Sequence, residues 1–114
     1  MPDCLFCKIV AGDIPGKKVY EDDSVLAFYD IAPQAPVHVL VVPKAHVGNL
    51  HLAQALGDEE LGALLRAAAR VAEHLGLSEG GYRVVINCGL HAAQSVHHLH
   101  LHVLGGAQLS GQMG

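Results

Sequence analysis

The amino-acid sequence predicts an α+β domain built on a mainly antiparallel sheet, and three runs of residues predict it. Val37 to Val42 (VHVLVV) is β-branched and lies between Pro36 and Pro43; the prolines bound a strand because they lack the amide hydrogen that a ladder needs. His98 to Leu104 (HLHLHVL) alternates polar and apolar residues, the period-two pattern of a strand. From Asp58 to Leu75, the residues Leu61, Leu64, Leu65, Ala68, Val71, Ala72 and Leu75 recur at helical spacing, which gathers them into one buried stripe.

The remaining elements follow in chain order. Residues 4–11 (CLFCKIVA) form a short helix closed by Gly12 and an Asp-Ile-Pro-Gly turn. Lys18 to Glu21 and Ser24 to Asp30 are apolar-rich strands separated by Asp22-Asp23, a tight hairpin turn. The long helix takes Asp58 as its N-cap, carries Glu59 and Glu60 at the positive end of its dipole, and stops before Gly76. Tyr82 to Asn87 (YRVVIN) is the fourth strand and His98 to Leu104 the fifth, and the glycine-rich end of the chain is a surface tail. No repeat, linker or change of composition divides the chain, so residues 1–114 read as a single domain.

Composition narrows the function. With 51% hydrophobic and 16% charged residues, the chain buries enough apolar surface to offset its ordering entropy, which excludes a disordered protein. Seven Lys and Arg against eleven Asp and Glu leave a net charge of −4, the wrong sign for a polyanion binder. A mononucleotide stays compatible, since a few local donors suffice to hold it. No apolar run approaches the ~20 residues that span a bilayer, and the opening MPDCLFCKIVAGD lacks the basic and apolar regions of a signal peptide. Three cysteines, an odd number, point to a reducing, cytoplasmic setting with thiols free or bound to metal.

Histidine is the outlier, with nine in 114 residues. On a strand, His98, His100 and His102 share one face and Leu99, Leu101 and Val103 the other. Three imidazoles in a row serve as nucleophile, metal ligands or anion donors; the competing reading is a histidine-rich outer strand face or a plain structural metal site. The preceding loop carries side-chain amides at Asn87 and Gln94 and a hydroxyl at Ser95. Such groups hold phosphate oxygens without net positive charge, although an ordinary turn also favours Asn, Gly and Ser. Cys4-x-x-Cys7 is one half of a tetrahedral zinc site, or else two small residues packed in a helix. Cys88 reads as a buried strand residue. His38, His51, His91 and His97 have no strong functional case, and the helix dipole accounts for His74.

His98-Leu-His-Leu-His-Val-Leu104 resembles the signature of the histidine triad (HIT) superfamily. The Asn87…Gln94-Ser95-Val96 approach, Phe28-Tyr29-Asp30-Ile31-Ala32-Pro33, Val42-Pro43-Lys44-Ala45-His46 and Gly105-Gly106 are similar to its HINT-type branch, so the likeness runs from about Cys4 to Gly106, leaving 107–114 as a tail. The resemblance implies a five-stranded antiparallel sheet with one long helix and a short N-terminal helix, paired in a homodimer with a ten-stranded sheet. It implies hydrolysis of nucleoside 5′-phosphoramidates, with AMP or GMP as the nucleotide part; dinucleoside polyphosphate hydrolysis and a non-catalytic nucleotide- or protein-binding module are the alternatives.

By the same resemblance, His100 is the nucleophile that takes the nucleotidyl group and His102 contacts the α-phosphate. Ser95 and Gln94 stand near the phosphate and the leaving amine, and Asn87 is a further phosphate-side contact. Asp30 is the ribose ligand, with Ile31, Phe6 and Ile9 at the base. A subset of the family completes a structural zinc site, here Cys4, Cys7, His46 and His98, which leaves His98 to orient the strand while the chemistry needs no cofactor. Two departures stand out: Ala93 replaces the usual glycine before Gln94, where a positive φ would strain alanine, and the tail lacks the family's frequent Trp-Pro-Pro-Gly end.

Overall fold

A computed structural model describes residues 3–113. The chain runs through α1 (Leu5–Ala11), β1 (Lys18–Glu21), β2 (Val25–Tyr29), β3 (Val37–Pro43), α2 (Asp58–His74), β4 (Tyr82–Val85) and β5 (Leu101–Gly105). The five strands form one antiparallel sheet in the order β1-β2-β3-β5-β4. No helix among the described residues is long and apolar enough to cross a membrane.

The alternation of side chains divides the core into two layers. Val25 and Ala27 of β2, Val39 and Val41 of β3, and Leu101 and Val103 of β5 pack with Leu64, Ala68 and Val71 of α2. The opposite residues, Leu26, Phe28, Leu40 and Val42, pack with Cys4, Phe6 and Ile9 at α1. A strand covered on both faces has no polar side to display, which is why β3 is apolar almost throughout.

The same double cover changes the reading of the histidine strand. His98 is 0% and His100 5% exposed, so these rings lie in an interior seam rather than on an outer face. β5 also starts three residues later than the alternation suggests. Its pairing with β3 ends at Val41 opposite Leu101; beyond that Pro43 has no N–H to offer, and its carbonyl is bound by the His98 ring instead.

Other boundaries shift for local reasons. The N-cap of α2 is Gly57 rather than Asp58, and the Glu60 carboxylate accepts from the Gly57 N–H at 3.0 Å, the reciprocal half of a capping box. Leu65 is 58% exposed and Ala67 is buried in the stripe. Asp22 Oδ1 accepts from the N–H groups of Ser24 and Val25, so the hairpin turn takes Ser24 and β2 begins at Val25. β4 stops at Val85, and Cys88 is half-buried in the following loop rather than in a strand.

Candidate functional site

Two histidine constellations meet where α1 crosses the sheet. The first is the Cys4, Cys7, His46 and His98 cluster, whose donor atoms all lie within 4.8 Å of one another. Cys4 caps α1, its Sγ accepting from the Cys7 N–H at 3.3 Å. His98 Nδ1 is 3.3 Å from Cys4 Sγ, 3.5 Å from Cys7 Sγ and 3.2 Å from His46 Nδ1, and Cys7 Sγ is 3.3 Å from His46 Nδ1.

Tetrahedral zinc bonds to sulfur and imidazole set ligand–ligand edges of about 3.5 Å for S–N and about 3.3 Å for N–N, so the residues fit such an ion. The His98 ring meets the same requirement chemically. Its Nε2 lies 2.8 Å from the Pro43 carbonyl, an acceptor only, so Nε2 carries the proton and Nδ1 presents a lone pair to the cluster. Burial holds His98 below the usual imidazole range. Burial, and then the neighbouring Cys4, push the Cys7 thiol up.

The second constellation is His38, His100 and His102 with Asp30. His100 Nδ1 is 2.7 Å from the His98 backbone carbonyl, which fixes the proton on Nδ1 and leaves the Nε2 lone pair free. His38 Nδ1 accepts from the Gln34 N–H at 3.0 Å. The proton of a neutral His38 is therefore on Nε2, which donates to His102 Nδ1 at 2.8 Å, and His102 in turn carries its proton on Nε2. Burial, then His100 and His38, lower His102 to about 4; burial also lowers His38 against the opposing pull of Asp30. Both rings are thus neutral near pH 7. Asp30 Oδ2 stands 3.5 Å from His38 Nε2, and Oδ1 accepts from the Ala32 N–H at 2.8 Å.

A cavity of about 600 Å³ opens beside this row. Its walls include Phe6, Ile9, Asp30, Ile31, Ser95, His100 and His102, so most of the residues expected from sequence converge on one space. The walls also include Leu5, Lys17, Phe28, Tyr29 and Leu40, which sequence reasoning missed. Asn87 and Gln94 are not among them. The Gln94 amide instead braces its loop, accepting from the Gly89 N–H and donating to the carbonyls of Gly48 and Val96. Ala93 adopts φ 58°, and it is the non-glycine residue with positive φ among those described.

His38 is a further member that the sequence reading did not single out, and it is hydrogen-bonded to His102. Its signal was present as the one polar side chain inside the apolar run of β3, where an isolated histidine needs a partner. The partner is 64 residues away in sequence and becomes visible only when β3 pairs with β5. His51, His74, His91 and His97 are exposed.

The family model of the HIT domain matches residues 11–109. The chain is 41% identical over 107 residues to a purine nucleoside phosphoramidase of Escherichia coli (strain K12), covering 94% of this chain and 90% of that protein. It is 48% identical over 110 residues to a 14 kDa zinc-binding protein of Brassica juncea, covering 95% and 96%. The solved structure of a HIT family hydrolase from Legionella pneumophila Philadelphia 1 superimposes with a TM-score of 0.94 at 46% identity, covering 98% of this chain and all of that one.

Proposed function

This chain belongs to the HIT domain family, and on that premise we propose that it is a nucleotide hydrolase that cleaves the P–N bond of nucleoside 5′-phosphoramidates through a nucleotidyl group carried on His100. The observation that carries this reading is the tautomer of that ring. With Nδ1–H committed to the His98 carbonyl at 2.7 Å, the Nε2 lone pair is the nucleophile available to the cavity. The kinship with a purine nucleoside phosphoramidase supports AMP or GMP as the nucleotide part.

The reaction divides into two displacements. Nε2 of His100 attacks the α-phosphorus, a bond to the ring forms, and the bond to the amine breaks. The departing nitrogen takes a proton from a donor on the cavity wall, for which Ser95 is the candidate. Water then attacks the same phosphorus, the bond to His100 breaks, and the proton of that water restores the donor. A neutral His102 donates Nε2–H to a phosphate oxygen without the desolvation cost of a buried cation.

Asp30 accepts the ribose hydroxyls, and Phe6, Ile9 and Ile31 flank the base. Gln94 acts by holding the loop that carries Ser95. Cys4, Cys7, His46 and His98 hold a structural zinc ion, whose contribution is to anchor α1 to the histidine segment. Assembly is a homodimer, supported by the free edge of β4, where Tyr82 and Val84 are 38% and 37% exposed.

Rapid quenching of the reaction with an AMP-amine, followed by mass spectrometry, tests the chemistry. A nucleotidyl adduct on His100 is the expected result. The His100→Gly variant should lose about 10⁴-fold or more in turnover while still binding AMP. Product accumulating at the parent rate in that variant would sink the proposal.

A further inference from the structure

Two groups on the cavity wall, Asp30 and His102, meet behind it at one ring that does not line the cavity. That ring is His38. It is buried, and its Nε2 lies 2.8 Å from His102 Nδ1 and 3.5 Å from Asp30 Oδ2. The backbone fixes the arrangement. The Asp30 N–H donates to the His38 carbonyl at 3.0 Å, one residue past the end of β2. The pairing of β3 with β5 sets His38 opposite Leu104 and Leu40 opposite His102, so His38 and His102 are diagonal neighbours on one face.

The carboxylate and the second imidazole compete for one hydrogen. His38 Nδ1 already accepts from the Gln34 N–H, so the neutral ring has its proton on Nε2, with His102 and Asp30 as its two acceptors. Asp30 Oδ1 is engaged by the Ala32 N–H, which leaves Oδ2 as the oxygen with free capacity. A carboxylate is the stronger acceptor of the two. At 3.5 Å it stands at the edge of hydrogen-bond reach, and His102 holds the hydrogen by proximity.

We infer that His38 is a positioning residue that couples the sugar end of the cavity to its phosphate end. Ribose hydroxyls that donate to Asp30 Oδ2 draw the carboxylate off His38. His38 then donates to His102 without a competitor and keeps the His102 proton on Nε2, toward the phosphate. The inference rests on the nucleotide reading above, with the ribose at Asp30 and the phosphate at His102. A sugar without those hydroxyls leaves Oδ2 to take the His38 hydrogen, and His102 Nδ1 loses its donor. The sugar is therefore read in the rate of the chemical step as well as in binding.

Single-turnover kinetics separate the two, with an AMP-amine and its 2′,3′-dideoxy counterpart on the parent, His38→Leu and His38→Gln. In the parent, the dideoxy substrate should react about tenfold more slowly at saturation, a coupling of ordinary size. His38→Leu has no hydrogen to share, so both substrates should react within about twofold of one another there, although more slowly than in the parent. His38→Gln has two amide hydrogens, one for each acceptor. It too should lose the sugar effect while recovering part of the rate, so the test does not depend on the leucine variant folding. A dideoxy substrate that only binds more weakly to the parent, or that slows both variants as much as the parent, overturns the coupling alone. A parent that hydrolyses neither substrate overturns the nucleotide reading, and this inference with it.

Discussion

The cysteine–histidine cluster and the row of His38, His100 and His102 draw on the same short segment and the same side chain, yet their rings are wired in opposite senses. In the cluster, a carbonyl claims Nε2 of His98, and Nδ1 is turned toward Cys4, Cys7 and His46. In the row, a carbonyl claims Nδ1 of His100, and Nε2 is left for the cavity. Residue type supplies an imidazole; the backbone carbonyl beside it decides which ring nitrogen keeps its lone pair and where that nitrogen points. Position 98 serves both regions, with its ring in one and its carbonyl in the other.

The largest separation between the regions is expected on removing the cluster. Cys4→Ser, or chelation of the parent, should release about one zinc per chain and lower the thermal midpoint on the order of 10 °C, since metal binding to the native state alone adds directly to its stability. Elemental analysis with a thermal melt measures both. His100→Gly should do the reverse, keeping metal and melting temperature while losing turnover. A Cys4→Ser variant that melts like the parent would mean that the cluster anchors nothing.

Acid should affect the two regions through different protons. His102 sits at about 4 when folded against about 6.5 for a free imidazole. Between these values the unfolded chain takes up a proton that the native ring refuses, so stability falls as the pH drops from about 6.5 to about 4 and then levels off. His38, also lowered, adds in the same direction. The cluster contributes its own acid loss, because protons compete with metal for its ligands. Denaturant melts of the parent and of His102→Asn across this range isolate the ring's share. Identical slopes in the two proteins would refute the neutral-donor assignment.

The sequence was legible where periodicity carries the signal. The apolar stripe of α2 apart from Leu65, the runs in β2 and β3, and the Leu99, Leu101 and Val103 set face the core as alternation and helical spacing require. What it did not disclose depends on contacts between distant segments. The burial of His98 and His100 follows from α1 lying over them, with Phe6 edge-on to both rings at 5.9 and 5.1 Å, and nothing local to the triad announces that cover. Gln94 was legible as an amide near the triad, but its engagement with Gly48 and Val96 belongs to the packing of two loops. Ala93 shows a local expectation meeting a real cost: a left-handed alanine carries roughly 1–2 kcal/mol of strain, and the brace made by Gln94 next to it helps to hold that turn in place.

The smallest effect, and the sharpest test of the wiring, concerns His38. This ring lies one step behind His102, so it is a positioning residue whose loss should alter the proton placement on His102 without emptying the cavity. His38→Leu removes the donor to His102 Nδ1, letting that ring adopt the other tautomer and turn its lone pair toward the phosphate. Turnover should fall about 10- to 100-fold, the usual effect of removing a group that orients a functional histidine, with AMP affinity changed far less. His38→Gln, which restores a donor toward His102, should recover part of the loss, whereas a purely structural role for His38 would show no such preference for a donor. The metal content of both variants should match the parent, since none of the four cluster donors comes from position 38. If His38→Leu instead released the metal and kept its turnover, the two regions would not be wired separately, and the division drawn from the carbonyls at Pro43 and His98 would fail.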